Sequence, residues 1–257
     1  MIIIFGLGSA NGSRTGASPL AEMMENLTKK PNISVITCMG NEANNKCHYK
    51  GTVMSALVPD VMEINVDGTG KGFTMEIWAD SLDILSVSIE SPSGEYVPRI
   101  PARMGASMEY TFLYEGSTVT VDYQITENVA GMEVIFVRLK TPVEGTWKFY
   151  IYSLTNIKGS YNAWLPLKQF SGQDIYFLKS DPDTTLTVPA AADGVISVGA
   201  YNHYTGAAYY ESGRGYSADG RIKPDFVAPG AGVYGIAPSG GCLLYTSDAA
   251  DEARSVD

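Results

Sequence analysis

The sequence predicts an α/β fold: a parallel sheet with helices, interrupted by an inserted antiparallel β domain of jelly-roll-like type. Three observations predict it. Strand, helix and strand patterns follow one another within residues 2–38, which is the signature of a βαβ unit. Alternating apolar segments parted by turn residues then run from about Thr52 to Asp183 without a helical period. Continuous apolar runs return at Val195–Ala200 and Phe226–Ala228, ending in small residues and in Pro229-Gly230.

Ile2-Ile3-Ile4-Phe5 is apolar at every position, as expected of a strand buried on both faces. Gly6-Leu7-Gly8 opens a loop rich in Ser, Asn and Gly. Ser18 before Pro19 reads as an N-cap with proline at the first helical position. Leu20, Met23, Met24 and Leu27 follow at helical spacing, and Lys29-Lys30 suits the dipole at the last turn. Ile33 to Cys38 is the next strand. In the middle of the chain, Ser86–Glu90 and Thr118–Ile125 alternate, while Val134–Leu139 and Trp147–Tyr152 are aromatic and β-branched. Asp67-Gly68, Pro92-Ser93-Gly94, Glu115-Gly116 and Glu144-Gly145 supply the turns. The expected organisation is therefore residues 1–51 and 184–241 as two parts of the α/β domain, with 52–183 inserted between them.

From Cys242 the text changes character. Cys-Leu-Leu-Tyr-Thr-Ser-Asp-Ala-Ala-Asp-Glu resembles the translation of a sequencing-library adapter, so residues 242–257 are set apart from the fold as an artefact tail. A native acidic C-terminus is the alternative.

At 257 residues the chain can bury a full core. No run approaches the ~18 apolar residues of a membrane span. Met1 opens directly on a strand, with no basic region that would mark a signal peptide, so the chain reads as an internal fragment. A net charge of −10 offers no basic patch for nucleic acid. Cys38, Cys47 and Cys242 match neither a disulfide framework nor a metal-binding spacing, and no metal ligands are assigned. Cys38, in an apolar strand, reads as a packed thiol.

Asn41 is the residue of greatest chemical interest. A side-chain amide at the end of a strand, after Gly40, can aim an N–H donor into a cleft where negative charge develops on a carbonyl oxygen. Taken alone, Gly-Asn after a strand is as readily a turn. Its companions occur in a fixed order: Gly6-Leu7-Gly8-Ser9, Gly40-Asn41-Glu42-Ala43-Asn44, Ser197-Val198-Gly199-Ala200, and Lys223-Pro224-Asp225 leading into Phe226–Gly230. Together with Ser212-Gly213-Arg214-Gly215, this series resembles the subtilisin-like serine proteases, or subtilases. Asn44–Gly51 and the central β segment are similar to a clostridial germination-protease-like type with a jelly-roll insertion.

The resemblance implies the subtilisin-like form of the α/β fold and a serine endopeptidase acting through an acyl-enzyme. It makes Asn41 the catalytic oxyanion donor. Gly6, Leu7 and Gly8 become the edge that pairs with substrate, and Met39 and Gly40 the lining of the specificity pocket. The implied partner is a polypeptide substrate, with no nucleic acid and no membrane span. No cofactor is required, though a structural calcium is compatible with the family. Localisation is expected outside the cell, or in a cell or spore envelope.

A triad needs Ser, His and an acid. His48 and His203 both follow Asn41, out of the family's order, and read as a loop residue and a surface-turn residue. Asp225, after Pro224, reads as positioning its strand. Thr246-Ser247-Asp248-Ala249-Ala250 resembles the nucleophile block, but Tyr245 and Asp251 replace its flanking Gly and Pro, so Ser247 reads as coincidence. The triad is therefore expected outside this chain, which would be inactive alone. The alternatives are a pseudoprotease or signalling protein on the same scaffold, and a β-domain binding module using Trp78, Trp147 and Trp164 as a platform.

Overall fold

The computed structural model describes residues 1–68, 70–80, 83–103, 105–126, 132–171, 174–236 and 242–245. It divides into two compact units: one of Met1–Gly8, Arg14–Asn45 and the chain from Pro182 onward, the other of Ser9–Ser13 and Lys46–Asp181.

The first unit opens with β1 (Ile2–Phe5), α1 (Pro19–Thr28) and β2 (Ser34–Cys38). Ser18 caps α1 as the sequence pattern predicts, its hydroxyl accepting the Ala21 N–H at 3.2 Å. Ala21 and Met24 are buried beside Val35, Ala192 and Val195, with Leu20 and Leu27 packed against them. Met23, predicted on the same stripe, is exposed instead.

The second unit runs through β3 (His48–Thr52), β4 (Asp60–Asp67), β5 (Gly72–Ala79), β6 (Leu85–Glu90), β7 (Tyr96–Ile100) and β8 (Ser107–Thr111). It continues with β9 (Thr118–Thr126), β10 (Met132–Lys140), β11 (Gly145–Ser153), β12 (Ser160–Trp164), the four-residue α2 (Lys168–Ser171) and β13 (Asp174–Phe177). Its strands form two antiparallel sheets, ordered β3-β12-β5-β10-β9-β8 and β13-β4-β11-β6-β7. Alternate side chains of both fill one core: Met62, Ile64 and Val66 from β4, Val119, Val121 and Tyr123 from β9, Trp147, Phe149 and Ile151 from β11.

The chain returns to the first unit through a 3-10 turn (Val188–Ala191), β14 (Ile196–Asn202), β15 (Phe226–Ala231) and the hairpin of β16 (Val233–Ile236) with β17 (Cys242–Tyr245). β1, β2, β14 and β15 pair in parallel, in that order. Register places Ile4, Ile36 and Ile196 in one row and Cys38, Val198 and Phe226 in another on the same face. Ile4 and Phe226 are exposed there and the rest half-buried, Cys38 included, so its thiol is not packed as expected.

The predicted α/β class is overturned: the protein is mostly β, and antiparallel strands dominate it. The reason is the balance of elements over the whole chain. Period-two patterning occupies about half the chain, and the connections of the parallel sheet carry little that can be helical. Residues 203–225 contain Gly206, Gly213, Gly215, Gly220 and Pro224, which break helices, and they run as turns between β14 and β15. The segment before β14 forms only the four-residue 3-10 turn. α1 is the one helix longer than a turn among the described residues. Trp78, Trp147 and Trp164 are all buried in the second unit, which removes the exposed platform.

Glu133 on β10 is 2% exposed, and burial pushes its carboxyl up to about 7 against the opposing Leu85 N–H bond at 2.5 Å. Its Oε1 has no hydrogen-bond partner. A raised acid binds more protons folded than unfolded, so its contribution is complete below the unfolded value and is lost as pH rises towards 7. Trp emission, which reports this unit alone, is expected to show stability falling by roughly 3 kcal/mol from pH 4.5 to pH 7.5. Glu133→Gln should flatten that slope; an equally steep slope in the variant would refute the assignment.

Candidate functional site

Every residue assigned from the resemblance lies in the first unit. Gly6, Leu7 and Gly8 continue from β1, which is an edge of its sheet, and Leu7 is 68% exposed. A Cβ on Gly6 would meet nothing within 4 Å, so this backbone is open to an approaching chain. Gly8 is the opposite case. A Cβ there would come within 2.3 Å of Thr187 Cγ2.

Met39 and Gly40 extend from β2. Met39 is buried with Leu186, Ala190 and Ala191, so its side chain fills the interior beneath the segment. Gly40 has φ +86°, a left-handed conformation that turns the chain off the sheet, and a Cβ would lie 2.4 Å from Thr187 Cγ2.

The carbonyls from Cys38 to Asn41 each have a named donor. Cys38 O accepts from Thr187 Oγ1 at 3.2 Å and Met39 O from Thr187 N–H at 2.9 Å. Gly40 O accepts from Gly213 N–H at 2.7 Å, and Asn41 O from Asn45 Nδ2 at 3.2 Å. Asn45 Nδ2 also reaches Glu42 Oε2, at 3.1 Å, and the Ala43 N–H donates to Glu211 O at 3.2 Å. Asn41 itself is half-buried, at the end of a backbone tied down residue by residue.

Asp225 holds its strand, as predicted. Burial alone would raise its carboxyl, but Lys223 Nζ at 2.8 Å and the Ser197 N–H and hydroxyl, each at 2.7 Å, hold it below the usual carboxylate range. His203 sits in an exposed turn, its ring centroid 3.9 Å from that of Tyr204. His48 is not a loop residue. It is fully buried in β3, stacked on Trp164, with ring nitrogens 3.2 Å from Asp181 O and 3.0 Å from Asn162 Oδ1.

Among the described residues no group of three or more His, Cys, Asp or Glu is placed to hold a metal ion. No helix there is long and apolar enough to cross a membrane. Thr187 was not singled out by sequence, and Gly213 was named only as part of the Ser212–Gly215 block. Thr187 before Pro189 carried a signal, since Thr near a Pro marks the start of a short helix.

A model of the subtilase family (Peptidase S8) matches residues 141–253. The matched stretch continues past residue 241 into the tail set apart above, of which Cys242–Tyr245 pair with β16 and Ser247 lies outside the described residues. No curated protein matches the sequence. The solved structure of the Clostridium perfringens CspB protease matches with a TM-score of 0.83 at 24% identity, over 95% of this chain. The chain spans about half of that protein, 52% of its length. Over residues 141–253, less than half of its length, the chain is similar to the subtilase family, and its fold is similar to that of a clostridial protease.

Proposed function

We propose that the chain is a segment of a secreted or envelope-associated serine endopeptidase that hydrolyses peptide bonds through an acyl-enzyme. Asn41 Nδ2 donates to the carbonyl oxygen as it becomes an oxyanion, where a preorganised donor stabilises charge that the ground state lacks. The Gly6-Leu7-Gly8 edge pairs with extended polypeptide, main chain to main chain. The bend at Gly40 and the buried Met39 shape the pocket beside it. The observation that carries this reading is the tethered backbone from Cys38 to Asn41, which holds a side-chain amide at the mouth of a parallel strand.

The chain alone is expected to be inactive. A serine hydroxyl becomes nucleophilic through an adjacent base, and a base needs a free ring nitrogen. His48 is sealed in the core with both nitrogens engaged. A fluorophosphonate probe should leave the chain unlabelled, and should label a longer protein in which this segment is joined to a complete triad. Stoichiometric labelling of Ser247 would overturn the expected inactivity. A longer protein that resists the probe would favour a binding or signalling role on the same scaffold.

A further inference from the structure

Thr187 is placed as the N-cap of the 3-10 turn Val188–Ala191, yet its hydroxyl makes no capping bond. It is turned instead onto Cys38 O at 3.2 Å, while its own N–H takes Met39 O at 2.9 Å. Its methyl is the atom that a Cβ at either Gly8 or Gly40 would strike, at 2.3 and 2.4 Å. One 2%-exposed residue thus lies against the segment after β1 and the segment after β2, its hydroxyl bonding the last carbonyl of β2 and its N–H the carbonyl that follows. Gly213 completes the hold from the other side. Its N–H bonds Gly40 O, and a Cβ on it would lie 2.3 Å from Met39 O, so no larger residue could come as close.

We infer that Thr187 is a positioning residue: its hydroxyl and N–H, with the Gly213 N–H, fix the peptide from Cys38 to Gly40 and thereby aim the Asn41 amide. This rests on the reading of Asn41 as the oxyanion donor. A cap costs the short turn little to forgo, because its first N–H groups are few and Pro189 carries none. A donor held to a fraction of an ångström matters far more, since misplacement by about 1 Å can cost a hundredfold in rate.

Two substitutions separate the hydroxyl from the methyl. Thr187→Val keeps the branched shape and removes the bond to Cys38 O; Thr187→Ser keeps the bond and removes the methyl. Hydrogen exchange on the chain itself reads the clamp through the N–H groups of Gly213 and Ala43. In Thr187→Val these should exchange about tenfold faster or more, while the amides of α1 stay as in the parent and Thr187→Ser stays close to it. Unchanged exchange at Gly213 and Ala43 overturns the inference, as does a rise shared equally by α1, which would mark general loosening. In a longer, active enzyme, Thr187→Val should lower kcat between about tenfold and a hundredfold with KM unmoved, and Thr187→Ser should restore most of it. An unchanged kcat in Thr187→Val overturns the positioning role. If Asn41→Ala also leaves kcat unchanged, the donor reading beneath it has failed instead, whatever the exchange shows.

Discussion

Asn41→Ala, in an enzyme that joins this segment to a complete triad, is expected to lower kcat by about a hundredfold or more with little change in KM. The magnitude is carried over from the corresponding donor of subtilisin, in the family this chain resembles, and is not obtained independently. The split between kcat and KM follows from geometry. A donor aimed at the position the oxygen takes as it becomes tetrahedral bonds the planar substrate weakly, so its loss falls on the transition state. Steady-state kinetics on a peptide substrate would check it. A variant with full turnover, or one whose loss lies entirely in KM, would remove Asn41 from the oxyanion site. Asn41→Asp should be no better than Ala, because a carboxylate presents a like charge to the oxyanion.

Asp83→Ala is expected to cost the β unit about 3–5 kcal/mol, the largest stability effect of any single substitution considered. Asp83 is 1% exposed and its carboxylate organises the loop after β11. Oδ1 accepts from Ser153 Oγ at 3.3 Å, Thr155 Oγ1 at 3.0 Å and the Ile157 N–H at 2.6 Å. Oδ2 accepts from the N–H groups of Lys158 at 2.9 Å and Gly159 at 2.8 Å. Truncation strands these donors, three of them main-chain, and an unsatisfied buried donor costs more than the bond it formerly made. Burial alone would raise the carboxyl; the N–H groups of Lys158, Gly159 and Ile157 outweigh it and hold Asp83 below the usual range. An acid depressed in the folded state contributes stability above its unfolded value of about 4 and loses it as pH falls through the folded one. Urea unfolding followed by Trp emission at pH 7 and pH 3 should show a large gap between parent and Asp83→Ala that narrows in acid. A gap below about 1 kcal/mol at pH 7 would show that the loop finds other partners.

These two carboxylates differ in how legible they were. Asp225 stood in a Lys-Pro-Asp run before an apolar strand, so its part in holding that strand could be read from neighbours in sequence. Asp83 gave no such sign, because its partners lie 70 or more residues away, across β11 and its following loop. His48 failed for the same reason. Its local setting of Asn, Lys and Tyr resembles a loop, but pairing of β3 with β12 brings Trp164 over its ring.

Local pattern alone determined much about this protein: the capped helix α1, the period-two strands of the central segment and the turns between them. Each depends on residues a few positions apart, where steric and hydrogen-bonding preferences act without the rest of the chain. Tertiary structure decided what those pieces amount to. The balance between one ten-residue helix and two antiparallel sheets made the class mostly β, because the glycine-rich connection from β14 to β15 had no helix to contribute. It also made Thr187, some 150 residues along the chain from Cys38, the neighbour of Gly8 and Gly40. A threonine cannot show in sequence that its methyl will lie against two glycines so far away; the parallel pairing of β1, β2 and β14 sets those contacts.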